Sequence, residues 1–356
     1  MAEANTTLAE AFRDAGYDTI AALTNPHHHP TSGFDQGFET AQFIVPEDHE
    51  DGDGLGNALN RWFLGLLPDR DPDRPLFAYL HYMEVHNPDR PPPHVAREFV
   101  RTAGNDRYVN GIPKPGREPS AGDLTFMQEL YDGEIRFADE LIAEILDGLE
   151  AARPGRARIV VVASDHGDEF LDHGGLGHGV TLEPEMLHMP LVLHAPEQCR
   201  AQRSDRLVRN LDVGPTLLAL AGAPIPEVFE GRNLAPFVCG EVEDSRPPAR
   251  RRDFSYALTG QMRSLTTPQW HFIWDLSRNE HRLYDRRADP AGLRDVAPEQ
   301  PTLVKQFRTR LFAFEQGRKR SRAESRRIAA EEIGDAKLDP ETAERLRRLG
   351  YLDEGD

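Results

Sequence analysis

The sequence has few cysteines, few lysines and no long run of apolar residues. Its two cysteines, Cys199 and Cys239, could form at most one bridge, which excludes a disulfide-stabilised scaffold. No stretch approaches the roughly 20 apolar residues that a membrane-spanning helix needs, so no membrane segment is predicted. The first ten residues lack the basic and apolar regions of a secretory signal. We therefore expect a cytoplasmic location, unless a preceding segment changes it.

The charge is strongly acidic and lysine is scarce. The net charge of −18 argues against a nucleic-acid partner, because the phosphates would be repelled. The basic residues are four lysines and 38 arginines. An acidic, lysine-poor surface suits a chain from a salt-adapted (halophilic) organism, where screening is strong. Codon usage that favours arginine explains the same composition, and both interpretations stay open.

The patterning predicts an α/β fold. The chain has 356 residues, of which 38% are hydrophobic, enough for a buried core. Helical spacing or a capping box predicts helices that start near Thr7 and span Leu59–Leu67 and Leu124–Leu149, and Asp51–Asn57 is predicted as a loop. Apolar runs predict strands at Thr19–Leu23, Leu76–His81, Arg158–Ala163 and Pro190–His194, the last two covered on both faces. This alternation predicts a mainly parallel sheet between helical layers.

The pattern of predicted elements changes after about residue 245. Short strands are predicted at 254–258, 263–266, 271–276 and 282–284, and helices at about 300–333 and 340–349. They predict a small C-terminal antiparallel sheet with a covering helix. The expected domains are residues 1–244 and residues 245–356.

The strongest chemical signal directly follows an apolar strand. Asp165 and His166 precede a glycine turn that breaks strand alternation, so both side chains can face one metal ion. Ligands gather beyond the carboxyl ends of strands in open α/β sheets. His173 and His178 follow in a glycine-rich loop whose backbone can approach a small anion closely. Asp-His-Gly is also a common turn composition, and two ligands cannot complete the coordination of Ca²⁺ or Mg²⁺.

Two further histidine segments follow strand ends. His86 precedes the proline-stiffened loop at Pro88, although a solvent-facing histidine would fit the same position. Asn25 and His27 belong to the run T-N-P-H-H-H-P. Adjacent side chains of an extended chain alternate in direction. We therefore expect one useful histidine there and not a three-histidine metal site.

The order of these segments resembles the sulfatase family of the alkaline-phosphatase superfamily, almost from end to end. The resemblance is carried by G-F-D-x-G-F at 33–38, F-x-Y-x-H-x-x-x-x-H-x-P at 77–88, Y-D-G-E-I at 131–135, the S-D-H-G block at 162–190 and D-x-x-P-T-L-L at 212–218. It implies an alkaline-phosphatase-like fold. It also implies metal-dependent hydrolysis of a sulfate ester on a small molecule or carbohydrate.

The resemblance also implies roles for single residues. Asp165 and His166 would bind one divalent metal, Ca²⁺ by expectation, with Mn²⁺ and Mg²⁺ as alternatives. His86 and His178 would be catalytic, and the substrate would be bound by His27, Asn25 and His173. Asn25 stands where relatives carry a lysine, which removes one cation from the anion pocket. A phosphodiester or phosphonate hydrolase, a phosphoglycerol transferase and a non-catalytic remnant are the alternative functions, and the oligomeric state stays open.

One part of the family pattern does not occur in this sequence. Relatives have a first strand with acidic metal ligands, then C-x-P-S-R or S-x-P-S-R, which supplies the nucleophile. Cys199 precedes R-A-Q-R and Cys239 precedes G-E-V-E, so formylglycine cannot form within this chain. We therefore expect an N-terminally truncated catalytic domain with impaired turnover. A misplaced gene start or split gene, a degenerate relative, and pairing with a separately encoded N-terminal piece are the explanations considered.

Overall fold

The computed structural model describes residues 5–25, 33–45, 54–86, 90–104, 119–240 and 254–333, with side chains described up to residue 318. The chain divides into two compact units, Met1–Val304 and Lys305–Asp356. The domain boundary predicted at residue 244 lies outside the described residues, as does the helix predicted at 340–349. The predicted C-terminal antiparallel sheet lies within the first unit.

The elements alternate as the sequence predicts. The helices are α1 (Leu8–Asp14), α2 (Gly54–Leu66), α3 (Pro93–Phe99), α4 (Ala121–Ala152), α5 (Pro184–Leu187), α6 (Val213–Leu220), α7 (Ala235–Val238) and α8 (Pro301–Ile333). The strands are β1 (Asp18–Leu23), β2 (Thr40–Phe43), β3 (Leu76–His81), β4 (Val160–Ala163), β5 (Glu169–Phe170), β6 (Leu176–Gly177), β7 (Leu191–His194), β8 (Ser255–Leu258), β9 (Met262–Thr266), β10 (Trp270–Asp275) and β11 (Glu280–Asp285). Among the described residues, we find no helix with the length and apolarity needed to span a bilayer.

A parallel sheet with helices on both faces forms the centre of the fold. Its strand order is β2-β1-β3, and β1 is buried along its whole length. Ile20 packs with Phe63 of α2 and Ile145 of α4 on one face. On the other face, Phe77 of β3 packs against the cluster of α1 and α6 that contains Phe12. The α/β layers expected from the sequence are therefore present.

Local sequence signals explain where the helices begin. Thr7 and Glu10 form the predicted capping box, with Glu10 N donating to Thr7 Oγ1 at 3.1 Å and Thr7 N donating to Glu10 Oε2 at 2.8 Å. The loop predicted over residues 51–57 is wrong from Gly54 onward, where α2 begins. A long-range contact accounts for the difference. Gly56 N, in the first turn, donates to Glu84 Oε1 at 2.7 Å, and a carboxylate is favourable at a helix N-terminus.

The two apolar runs predicted as fully covered strands behave differently. β4 and β7 pair antiparallel, with Val162 opposite Val192, and form a separate two-stranded sheet among the described residues. β4 is only half-buried, and Val192 is 58% exposed. The predicted coverage on both faces is therefore wrong for this part of the chain. An apolar run records a preference for burial, but it carries no information on pairing direction or on what lies over each face.

The predicted C-terminal antiparallel sheet is present, in the order β11-β10-β9-β8. Leu265, Phe272 and Leu283 are fully buried in it. Buried His271 joins this sheet to the segment before α5, since its Nε2 lies 2.8 Å from the carbonyl oxygen of Leu182. Burial lowers the pKa of His271 to about 4. The ring is therefore neutral near pH 7, with Nε2 donating to that carbonyl.

Two long-range links hold the segment after β7. Cys199 and Cys239 form a disulfide, the one bridge that the sequence allows. Fully buried Asp212, just before α6, accepts hydrogen bonds from Arg209 Nη2 at 2.8 Å and Arg232 Nη2 at 2.6 Å. Burial alone would raise the pKa of Asp212. The bonds from Arg209 and Arg232 outweigh burial and hold its pKa below the usual range.

We expect Asp212→Ala to lower the free energy of unfolding by about 3–5 kcal/mol, because it leaves two partly buried guanidinium groups without their carboxylate. Since the folded pKa is depressed, this stabilisation is present above the unfolded pKa and is lost as pH falls through the folded pKa. Urea unfolding of wild type and variant measures the difference. Asp14→Ala, at an exposed ion pair with Arg13, is the control with little expected effect. Equal decreases in the free energy of unfolding for the two variants would contradict a stabilising role for the Asp212 ion pairs.

Candidate metal and anion site

Two strands deliver histidines to the same region. His86 follows β3 by five residues, in a turn where His86 N donates to Met83 O at 3.1 Å. Val85 has a φ of 73°, which reverses the chain just before His86. His166 follows β4 by three residues, and its Nδ1 lies 3.0 Å from the carbonyl oxygen of Gly167. Since a carbonyl only accepts, His166 Nδ1 carries the proton and Nε2 is left as a potential metal ligand.

A short hairpin delivers the next two side chains. In the antiparallel pair of β5 and β6, Glu169 lies opposite Gly177 and Phe170 opposite Leu176. The same register places Asp168 opposite His178, one step outside the ladder. His178 Nδ1 lies 2.7 Å from Asp168 Oδ1, and the Asp168 side chain is buried. His178 Nδ1 thus donates to the carboxylate, which orients the ring and leaves Nε2 available.

These three histidines lie together. The ring centroids of His166 and His178 are 4.5 Å apart, and those of His86 and His178 are 4.7 Å apart. His86 and His166 are 6.3 Å apart. Three residues singled out from distant parts of the sequence therefore share one site. The hairpin places His178 next to both of the other rings.

The donor atoms suit one divalent metal ion. One ligand atom from each of His166, Asp168 and His178 lies within 4.8 Å of the others. Two imidazole nitrogens and one carboxylate are a set that Mn²⁺, Zn²⁺ or Fe²⁺ accepts readily, whereas Ca²⁺ prefers oxygen ligands alone. The sequence reading missed Asp168. Its signal was the ten-residue spacing to His178 around a glycine-rich turn, which is the spacing of a hairpin.

Asp165 lies beside this cluster. Its side chain is 84% exposed, and its Oδ1 is 3.9 Å from His166 Nε2. The same oxygen accepts a hydrogen bond from His166 N at 3.1 Å. Burial raises the pKa of Tyr79 in β3, and the charge of Asp165 raises it further, so the two groups are within electrostatic range. The role of Asp165 as a metal ligand stays a prediction.

The remaining predicted substrate-binding residues lie elsewhere or outside the described chain. The side chain of His173 is only 9% exposed, and its Nδ1 lies 2.6 Å from Glu185 Oε1 and its Nε2 2.7 Å from Gly292 O. A ring with both nitrogens engaged inside the fold does not suit the predicted contact with substrate. His27 lies outside the described residues, and Asn25, half-buried, is the last described residue after β1. Its predicted substrate contact stays a prediction.

We expect the purified protein to bind one equivalent of Mn²⁺ or Zn²⁺, and His166→Ala to weaken that binding by at least about tenfold because one of three donors is lost. Isothermal titration calorimetry measures both quantities. His194→Ala is the matched control, since His194 is exposed and pairs with Val160 at the opposite end of β4. Equal affinities for wild type and His166→Ala would argue against an ion at this cluster.

Comparisons with known proteins place the chain in a family independently of the site geometry. A model of the sulfatase family matches residues 2–223, and a model of the C-terminal region of N-sulphoglucosamine sulphohydrolase matches residues 173–317. The chain is 27% identical over 172 residues to a Delta 4,5-hexuronate-2-O-sulfatase of Bacteroides thetaiotaomicron, covering 46% of this chain and 35% of the relative. It is 30% identical over 172 residues to a choline-sulfatase of Rhizobium meliloti, covering 47% and 32%.

Solved structures show the same fold. The phosphonate monoester hydrolase of Silicibacter pomeroyi superposes with a TM-score of 0.67 at 19% identity, covering 90% of this chain and 80% of that one. A 2-O GAG sulfatase superposes with a TM-score of 0.66 at 18% identity, covering 95% and 78%. The chain spans about a third of the length of the two curated relatives named above.

Proposed function

The chain belongs to the sulfatase family, and from that premise we propose that its histidine cluster binds one divalent ion together with the anionic group of a sulfate ester. The observation that supports this proposal is the convergence of His86, His166 and His178 beyond the ends of β3, β4 and the hairpin. Three imidazoles with one buried carboxylate form a site that can hold a cation and also donate to an oxyanion.

Each residue has a chemical task in this proposal. A metal ion would offset the negative charge on the non-bridging oxygens of the ester. His166 and Asp168 would hold that ion, with the exposed carboxylate of Asp165 as a further ligand. His178, oriented by Asp168, would face the ion and the oxygens of the ester. His86, beside His178, would donate a proton to the leaving-group oxygen, a task for which imidazole is suited near neutral pH.

The proposed substrate class is a sulfated small molecule or carbohydrate. The relatives named above include an enzyme of a sulfated hexuronate and one of choline sulfate, which supports this class. A second candidate is hydrolysis of a phosphonate or phosphodiester. The donor set favours it, since two imidazole ligands suit Mn²⁺ or Zn²⁺ better than the Ca²⁺ that we expected from the family.

The anions themselves distinguish these two candidates without requiring turnover. We expect inorganic sulfate to bind the Mn²⁺-loaded protein more tightly than phosphate does, and His86→Ala to weaken sulfate binding, because one hydrogen-bond donor to the anion is lost. Calorimetric titration at constant ionic strength measures both affinities, with His194→Ala as the control. Tighter binding of phosphate would favour the phosphonate or phosphodiester candidate over the sulfatase candidate.

We also propose that this polypeptide by itself turns over little. The motifs C-x-P-S-R and S-x-P-S-R do not occur among its 356 residues. The metal- and anion-binding groups would then be present without the family's usual nucleophile. A non-catalytic role for the chain as it stands is the corresponding alternative.

We expect the purified 356-residue protein to hydrolyse neither an aryl sulfate nor a bis-aryl phosphate appreciably above background, with Ca²⁺ or with Mn²⁺, because it lacks the nucleophile motif. Release of the aryl alcohol measures the rate. Asp165→Ala and the control Asp14→Ala are assayed in parallel. Substantial turnover that Asp165→Ala abolishes and Asp14→Ala does not would overturn the proposed impairment and at the same time support the hydrolytic site.

A further inference from the structure

His173 lies at the tip of the hairpin whose base carries Asp168 and His178. Its ring does not point to the histidine cluster but into the fold. Nδ1 lies 2.6 Å from a carboxylate oxygen of Glu185 in α5, and Nε2 lies 2.7 Å from the carbonyl oxygen of Gly292, in the loop after β11. The tip of the hairpin is therefore tied at once to α5 and to the antiparallel sheet.

The two partners determine the protonation of the ring. A neutral imidazole has one nitrogen that donates and one that accepts. The carbonyl oxygen of Gly292 only accepts, and an ionised Glu185 also only accepts. With Glu185 ionised, both bonds of His173 can form together only if both nitrogens carry a proton, which makes the ring an imidazolium.

The surroundings favour that cation. Burial alone would lower the pKa of His173, but the bond to Gly292 and the carboxylates of Glu185 and Glu183 outweigh it and raise the pKa. Among the described residues, one buried oxygen in each of Glu169, Glu183 and Glu185 has no hydrogen-bond donor, so three carboxyl groups near the ring are incompletely satisfied. Burial raises the pKa of Glu169 and of Glu183. The charged and titratable groups that face His173 from the packed elements are Glu169 of β5, Glu183 and Glu185 at α5, His271 of β10, and Arg282 and Tyr284 of β11.

Helix α5 contacts two segments that carry candidate metal ligands. Gly167, directly after His166, packs on α5, where its N donates to Met186 O at 3.3 Å and an added Cβ would lie 2.2 Å from Glu185 O. Glu183, next to α5, is ion-paired with Arg282. The α5 turn thus contacts the backbone beside His166 and, through Glu185, the tip of the hairpin that carries Asp168 and His178.

We propose that His173 is a positioning residue, an imidazolium that fastens the hairpin tip to α5 and to the Gly292 loop and so keeps His178 against His166. This inference rests on the proposed function, since the geometry it preserves is that of the metal site. His173 does not contact the ion or the substrate. It acts through the register of the hairpin.

The protonation state is tested in the metal-free protein by nuclear magnetic resonance with ¹⁵N-labelled histidine, assigned by comparison with His173→Gln. We expect both ring nitrogens of His173 to carry protons at pH 7, with deprotonation at a pH above the value of about 6.5 for an unperturbed histidine. A neutral ring at pH 7 would overturn the inference. This measurement does not depend on metal binding. It can therefore fail or succeed independently of the proposed function.

The positioning role is tested by Mn²⁺ affinity between pH 6 and pH 9. We expect His173→Gln to weaken binding by about tenfold at the lower end, a size typical of residues that orient metal ligands. Because the pKa of His173 is raised in the folded protein, the stabilisation that its protonated ring provides is present below the unfolded pKa. It is lost as pH rises through the folded pKa. The ratio of wild-type to variant affinity should therefore shrink towards one as pH rises.

Two further variants keep this test decisive. Glu185→Gln preserves the shape of the side chain but removes the charge that holds the imidazolium, and we expect it to reduce Mn²⁺ affinity in the same direction. His94→Gln is the matched control, since His94 is an exposed histidine of α3 bonded to Glu140. A pH-independent ratio for His173→Gln, or an equal loss for His94→Gln, would sink the positioning role. Absence of Mn²⁺ binding by wild type would instead sink the proposed function.

Discussion

The bond between Asp168 and His178 is the interaction on which the site depends. It exists because β5 and β6 pair in a register that places these two residues opposite each other at the base of the hairpin. The carboxylate directs one nitrogen of the ring and leaves the other for a metal ion or an oxyanion. Without that pairing, His178 would be a loop histidine, and His86 and His166 would lack the ring that packs beside both of them. The geometry of the site therefore depends on the short pairing of β5 and β6, and on the contacts that hold this hairpin in place.

The hairpin is held in place by α5 and by the region of the antiparallel sheet, neither of which supplies a proposed metal ligand. The parallel sheet delivers His86 after the end of β3, and β4 delivers His166. The loop after β11 contacts the hairpin tip through Gly292, and the antiparallel sheet contacts the segment before α5 through Arg282 and through the bond from His271 to Leu182. These contacts connect the antiparallel sheet to the candidate site within the same compact unit.

Buried charge is handled in two contrasting ways in this fold. Asp212 is surrounded by donors from Arg209 and Arg232, so its charge is satisfied and it anchors α6. Around α5, by contrast, three glutamates each leave one buried oxygen without a donor among the described residues. Burial raises the pKa of Glu169 and Glu183, and a cation nearby favours the ionised form of such groups. We interpret the first arrangement as structural and the second as the electrostatic setting of His173.

The sequence by itself determined the alternation of helices and strands, the capping box at Thr7, the C-terminal antiparallel sheet, and the order of motifs that identifies the family. These features depend on local periodicity and on short motifs, which are legible along the chain. Only the tertiary structure decided that Asp168 lies against His178, that His173 points inward to Glu185 and Gly292, and that β4 pairs antiparallel with β7. The physical reason is that strand pairing direction, hairpin register and the partners of a buried ring depend on contacts between residues distant in sequence, and composition and spacing do not encode which of those contacts forms.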